Sequence, residues 1–126
     1  MRKIIQTTQA PAAIGPYSQA IRIDNMLFTS GQLGIDPATG DFVEGNVKEQ
    51  TFQVFKNIRA ILTEAGFTMH DIIKTTVFLA DMADFATVNE VYASHFEGDY
   101  PARSAVAVKT LPKNGLVEIE IIACKA

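Results

Sequence analysis

Three charged residues stand where charge is costly, close together near the end of the sequence. Arg103 lies in PARSAVAV, among small and apolar neighbours, and Glu118 and Glu120 alternate with Val117, Ile119 and Ile121 in VEIEIIA. Burying such groups is unfavourable unless they are paired or hydrogen-bonded. Small residues beside Arg103 leave room for a ligand, and the planar guanidinium matches a carboxylate. A carboxyl group among isoleucines has a raised pKa, which suits a base working near neutral pH. These residue types fit a site in which Arg103 grips a carboxylate and Glu118 handles a proton or a water. The pattern leaves a second reading open for each. Arg103 could pair with an internal acid, and the two glutamates could face solvent or an interface. Tyr17, just after Gly15-Pro16, fits a phenol over a pocket as well as a packed aromatic.

Other chemistries find little support. Gly31-Gln32-Leu33-Gly34 has neither the spacing nor the lysine of a phosphate-cradling loop. His70 and His95 lack Cys or paired-His neighbours, so ordinary surface histidines are expected and no metal. Cys124 has no histidine within sequence range and reads as a packed thiol. Ser18, Ser30, Ser94 and Ser104 match no nucleophile elbow.

At 126 residues the chain is expected to form one domain over its whole length. A net charge of −3 and no basic cluster argue against nucleic acid as a partner. The longest apolar runs are far too short to span a membrane, and no apolar stretch follows the basic N-terminus. A single cysteine is compatible with a reducing, cytoplasmic setting.

The elements that must position these residues follow from pattern. Arg2 to Thr7 reads as an edge strand, and Pro11, Gly15 and Pro16 mark a loop. Tyr17 to Ser30 reads as a hairpin turning at Asp24-Asn25. Ser30 to Gly45, with four glycines after Ser30 and Pro37, is expected to be a long loop. Asn46 and Glu49 have capping-box spacing, apolar residues recur at helical spacing to Ala65, and Gly66 stops the run. Ile72 to Leu79 reads as a buried strand, and a second helix starts near Asp84. The expected order is β-β-β-α-β-α-β-β, an α+β fold with a single mixed sheet and two helices packed on one face. Two helices cannot cover both faces, so the other face is expected to pack against further copies of the chain. If the last two strands formed a direct hairpin around Lys113 to Gly115, Arg103 and Glu118 would lie on the order of 18 Å apart. A small substrate could then touch both only between subunits.

Five stretches together resemble a known family: APAAIGPYSQA (10–20), FTSGQLGID (28–36), IIKTTVFLADMADFATVNEVYASHF (72–96), YPARSAV (100–106) and GLVEIEIIA (115–123). In colinear order they resemble the RidA (YjgF) family of enamine/imine deaminases. The resemblance implies a chorismate-mutase-like fold, a homotrimer with three clefts between subunits, and no cofactor or metal. It implies hydrolysis of 2-aminoacrylate and 2-iminobutanoate, released by pyridoxal-phosphate enzymes, to 2-keto acids and ammonia. By this resemblance Arg103 binds the substrate carboxylate, Glu118 positions water, and Tyr17, Ser30, Gly31 and Asn89 line the cleft. Many members carry cysteine two residues after the arginine, where this chain has Ala105, which casts doubt on thiol chemistry. The alternatives are a small-molecule-binding trimer that regulates a partner protein, and a holdase-like chaperone.

Overall fold

The computed structural model describes residues 1–126. Seven strands and two helices follow one another as β1 (Arg2–Ile5), β2 (Ala20–Ile23), β3 (Met26–Thr29), β4 (Gln32–Leu33), α1 (Val47–Ala65), β5 (Ile72–Leu79), α2 (Phe85–Ser94), β6 (Ala102–Ala107) and β7 (Val117–Cys124). All strands join one sheet in the order β1-β2-β3-β7-β5-β6, with the two-residue β4 pairing β7 beyond the end of β3. β5 and β6 run parallel and every other pair is antiparallel. The mixed α+β sheet with two helices is as expected. The loop expected from Ser30 to Gly45 differs, because Gln32 and Leu33 pair with Ile119 and Glu118.

α1 forms where local signals agree. The Asn46 N–H donates to Glu49 Oε1 at 2.8 Å, which closes the N-terminal turn. Val54, Phe55, Ile58, Ile61 and Leu62 form one apolar stripe, and all five are buried against the sheet. Gly66 ends the helix at φ 84°, a left-handed conformation that glycine adopts without strain. The last turn carries no basic residue of its own. Its carbonyls are bonded instead by Arg22 Nη1 on Ala65 at 2.6 Å and Lys125 Nζ on Gly66 at 2.7 Å.

The core lies between the helices and one face of the sheet. Val117, Ile119, Ile121 and Ala123 of β7 point into it, as do Thr75, Val77 and Leu79 of β5. The intervening residues, Glu118 and Glu120 included, point to the face without helices. Phe28 and Val106 also lie on that face and stay nearly half-exposed in a single chain.

The expected hairpin between the last two strands is not formed. β5 lies between β6 and β7, because α2 returns the chain so that β6 runs parallel to β5. The connection from Val108 to Leu116 then passes to the far side of β5 and begins β7. His95 also differs from a surface histidine. It is half-buried and stacks on Phe55 at 4.3 Å, and burial lowers its pKa.

Asn57 ties α1 to the segment around β4. It is fully buried, and its Nδ2 donates to the carbonyls of Leu33 and Ile35, each at 3.0 Å. Asn57→Ala is expected to cost about 2 kcal/mol, since it orphans buried acceptors. Urea unfolding measures this directly.

Candidate active site

The candidate residues fall into two groups on opposite sides of the sheet. Arg103 pairs across β6 and β5 with Thr75, and Thr75 pairs across β5 and β7 with Ile121. Paired residues share a face, so Arg103 lies on the helix side. Glu118 pairs with Phe78 and lies on the other face. With about 4.8 Å per strand and 3.3 Å per residue, their backbones are roughly 14 Å apart, and the sheet stands between the side chains. One chain cannot bring both to one small molecule. The expected separation of the two residues therefore holds, but opposite faces cause it and not distance along a hairpin.

On the helix side, Arg103 Nη1 donates to Asn89 Oδ1 at 2.6 Å. The guanidinium carbon sits 4.7 Å from the ring centre of Tyr92 and 5.3 Å from that of Phe85. Phe85, Asn89 and Tyr92 follow at i, i+4 and i+7, so a single stripe of α2 meets the arginine. Arg103, Asn89 and Tyr92 line a cleft of about 440 Å³ together with Tyr100 and Pro101. An internal acid was the other expectation for Arg103. The only ion pair in the chain joins the Met1 amino group to Asp24, so Arg103 has no carboxylate partner of its own.

On the other side, Glu118 lies in a cleft of about 630 Å³ with Tyr17, Ser30, Gly31, Ile14 and Lys113. Burial raises the pKa of Glu118, and the neighbouring Glu120 raises it further. Glu120 itself is exposed and does not line this cleft, so Glu118 is the acid that faces it. Gly31 permits that placement through space and not through backbone angle. A Cβ on Gly31 would stand 2.7 Å from the Glu118 carboxyl carbon and from its Oε2. Gly31→Ala is expected to displace the carboxylate and lower turnover about tenfold, as small shifts of a reacting group do. Retained helical circular dichroism and a kinetic assay together would separate this from unfolding.

Ser30 donates its hydroxyl to the Ser18 carbonyl at 2.6 Å, so it offers a ligand only its lone pairs. Tyr17 is half-exposed over the same cleft, and its N–H bonds the Gly15 carbonyl at 2.9 Å. Gln19 is a residue that patterning missed. It is buried and accepts from the Thr7 N–H at 2.7 Å, and it donates to the carbonyls of Thr7 at 3.0 Å and Pro11 at 2.8 Å. That side chain fixes the loop leading to Tyr17. No periodicity announces such a role. Tyr92 is a second residue that patterning does not bring to the site, although its i+3 spacing from Asn89 is an available signal.

Residues 7–125 match the family model described as Endoribonuclease L-PSP. The 2-iminobutanoate/2-iminopropanoate deaminase of Mus musculus is 53% identical over 98% of this chain and 91% of its own length. Among solved structures, RidA from the Antarctic bacterium Psychrobacter superposes with a TM-score of 0.94 at 50% identity, covering 98% of this chain and 99% of that one. E. coli TdcF with bound serine superposes with a TM-score of 0.92 at 46% identity, again over 98% and 99% of the two chains. These matches run almost end to end and include the segments that carry Tyr17, Ser30, Arg103 and Glu118, and so the chain belongs to the RidA (YjgF) family.

Proposed function

We propose that this protein hydrolyses reactive enamine and imine acids, such as 2-aminoacrylate and 2-iminobutanoate, to 2-keto acids and ammonia. The observation that carries the proposal is an arginine without a carboxylate partner, beside a cleft and fixed on one side by Asn89. The deaminase name of the mouse relative, and the serine bound in the related TdcF structure, support a ligand of the amino-acid type.

The two half-sites are joined when copies of the chain assemble as a homotrimer, with Arg103 and Asn89 of one subunit facing Tyr17, Ser30, Gly31 and Glu118 of the next. The exposed Phe28 and Val106 on the helix-free face support such packing. In the joined cleft Arg103 receives the substrate carboxylate in two charge-assisted hydrogen bonds, and the Gly31 N–H completes its coordination. An enamine first gains a proton at carbon and becomes the protonated imine, the iminium ion. Glu118 takes a proton from water as the oxygen bonds to the imine carbon. It then returns the proton to nitrogen and takes the proton of the new hydroxyl as the C–N bond breaks, which releases ammonia and the keto acid. Imines hydrolyse readily, so positioning and one base are sufficient for the barrier involved. This reading assigns the chain to the cytosol, in keeping with its lone cysteine.

The test is a coupled assay. With threonine dehydratase and threonine as the source of imine, added protein should speed release of 2-oxobutanoate and ammonia beyond hydrolysis in buffer. Equal rates with and without the protein would reject the proposal. Binding of 2-oxobutanoate without turnover would favour a sensor.

A further inference from the structure

Beneath Arg103 lies a polar contact that the reaction scheme does not use. Tyr92 is 3% exposed and Thr75 is fully buried, and their hydroxyls meet at 2.7 Å. Thr75 is the residue of β5 directly paired with Arg103 of β6. The phenol is therefore tethered to the strand beside the arginine, while its ring lies 4.7 Å under the guanidinium. Burial raises the pKa of Tyr92, so the phenol stays neutral and its face keeps the character that attracts a cation. Asn89 holds Nη1 from the side. A guanidinium with a platform below and one nitrogen engaged laterally can present only its remaining edge to a ligand.

We propose that Tyr92, held by Thr75, is a positioning residue that aims the free edge of Arg103 at the substrate carboxylate. The inference rests on the carboxylate role given to Arg103. It extends that role to two buried residues beneath the guanidinium. A buried tyrosine needs some hydrogen-bond partner for its own stability. An aiming function predicts something further, which is that ligand affinity depends on the tether even where stability does not.

Four proteins separate these effects: the unaltered chain, Tyr92→Phe, Thr75→Val and the double variant. Each single variant leaves a buried hydroxyl without its partner, which costs stability. The double variant replaces both groups with apolar ones of similar shape and should recover much of the melting temperature. Its tether is still missing. KM for the imine is therefore expected to rise about fivefold in both single variants and to stay raised in the double, with kcat within about twofold. The calorimetric Kd for 2-oxobutanoate should rise in parallel. The Kd for its neutral amide, which lacks the carboxylate, should not change. If KM and Kd return to the unaltered values together with the melting temperature, or never move, Tyr92 serves packing alone and the proposal is overturned. The calorimetric arm does not need turnover. If the unaltered protein binds 2-oxobutanoate without accelerating hydrolysis, and the variants bind it about fivefold more weakly, the deaminase reading fails while the aiming role is supported. If the unaltered protein neither binds 2-oxobutanoate nor accelerates hydrolysis, both fail.

Discussion

Arg103→Ala is expected to lower kcat/KM for imine hydrolysis about a thousandfold, with most of the loss in KM. Two charge-assisted hydrogen bonds at about 1.5–3 kcal/mol each are removed, which is enough for that factor after water has replaced part of the contact. The loss should be almost specific to ligand binding. The Arg103 side chain is bonded only to Asn89 and packs on rings that stay in place without it, so the fold has little to lose. The melting temperature of Arg103→Ala should therefore stay close to that of the unaltered protein. Arg103→Lys should recover only a small part of the activity. A lysine provides charge but not the two-pronged geometry, and it cannot both bond Asn89 and hold a carboxylate flat. Kinetics with 2-iminobutanoate and calorimetry with 2-oxobutanoate are the measurements. Full activity in Arg103→Ala would remove the carboxylate clamp and the mechanism with it.

Glu118→Gln is expected to lower kcat by about a hundred- to a thousandfold and to leave KM nearly unchanged. Glutamine keeps the shape and can still touch water, but it cannot take a proton. Glu120→Gln should retain most activity, because Glu120 is exposed and outside the cleft. It should also move the acid limb of the pH profile downward, since the Glu120 charge is part of what raises the Glu118 pKa. In the unaltered protein that limb should lie above the ordinary range of a carboxylic acid.

The same shift has a consequence for stability with a definite sign. The Glu118 pKa is higher in the folded chain than in the unfolded one. Between the two values the folded state binds more protons, so the stability contributed by Glu118 falls as pH rises from the ordinary carboxylate range through the raised folded value. Glu118→Gln removes an ionised group from a half-buried place. It should melt higher than the unaltered protein at neutral pH, and the difference should vanish in acid. A variant that is more stable and much slower would show that the carboxylate is kept for chemistry and against stability.

Most of the fold was legible because it rests on local regularities. The Asn46–Glu49 capping box, the apolar stripe from Val54 to Leu62 and the stop at Gly66 each act within a few residues, and α1 has those limits. Alternation in VEIEIIAC identified both a strand and its two faces. The types of Arg103 and Glu118 suggested a clamp and a base, and the family motifs chose among alternatives that patterning left open. Strand neighbours were not legible. The Pro-Lys-Asn-Gly turn before β7 fits a hairpin locally, yet adjacency is decided by which strand α2 delivers to the edge of β5. Gln19 and Asn57 were not legible either, since their hydrogen bonds join segments distant in sequence.

The sequence by itself determined which chemical groups this protein carries, where α1 begins and ends, and which residues of each strand share a face. These depend on residue type and on periods of two and 3.6, which the chain spells out locally. Only the tertiary structure decided that β5 separates β6 from β7, and so that Arg103 and Glu118 stand on opposite faces of one sheet. It also decided that Arg103 has no acid of its own, with Tyr92 and Asn89 around it. Those facts depend on contacts between residues far apart in the chain, where packing of the whole core selects one arrangement and no local signal can.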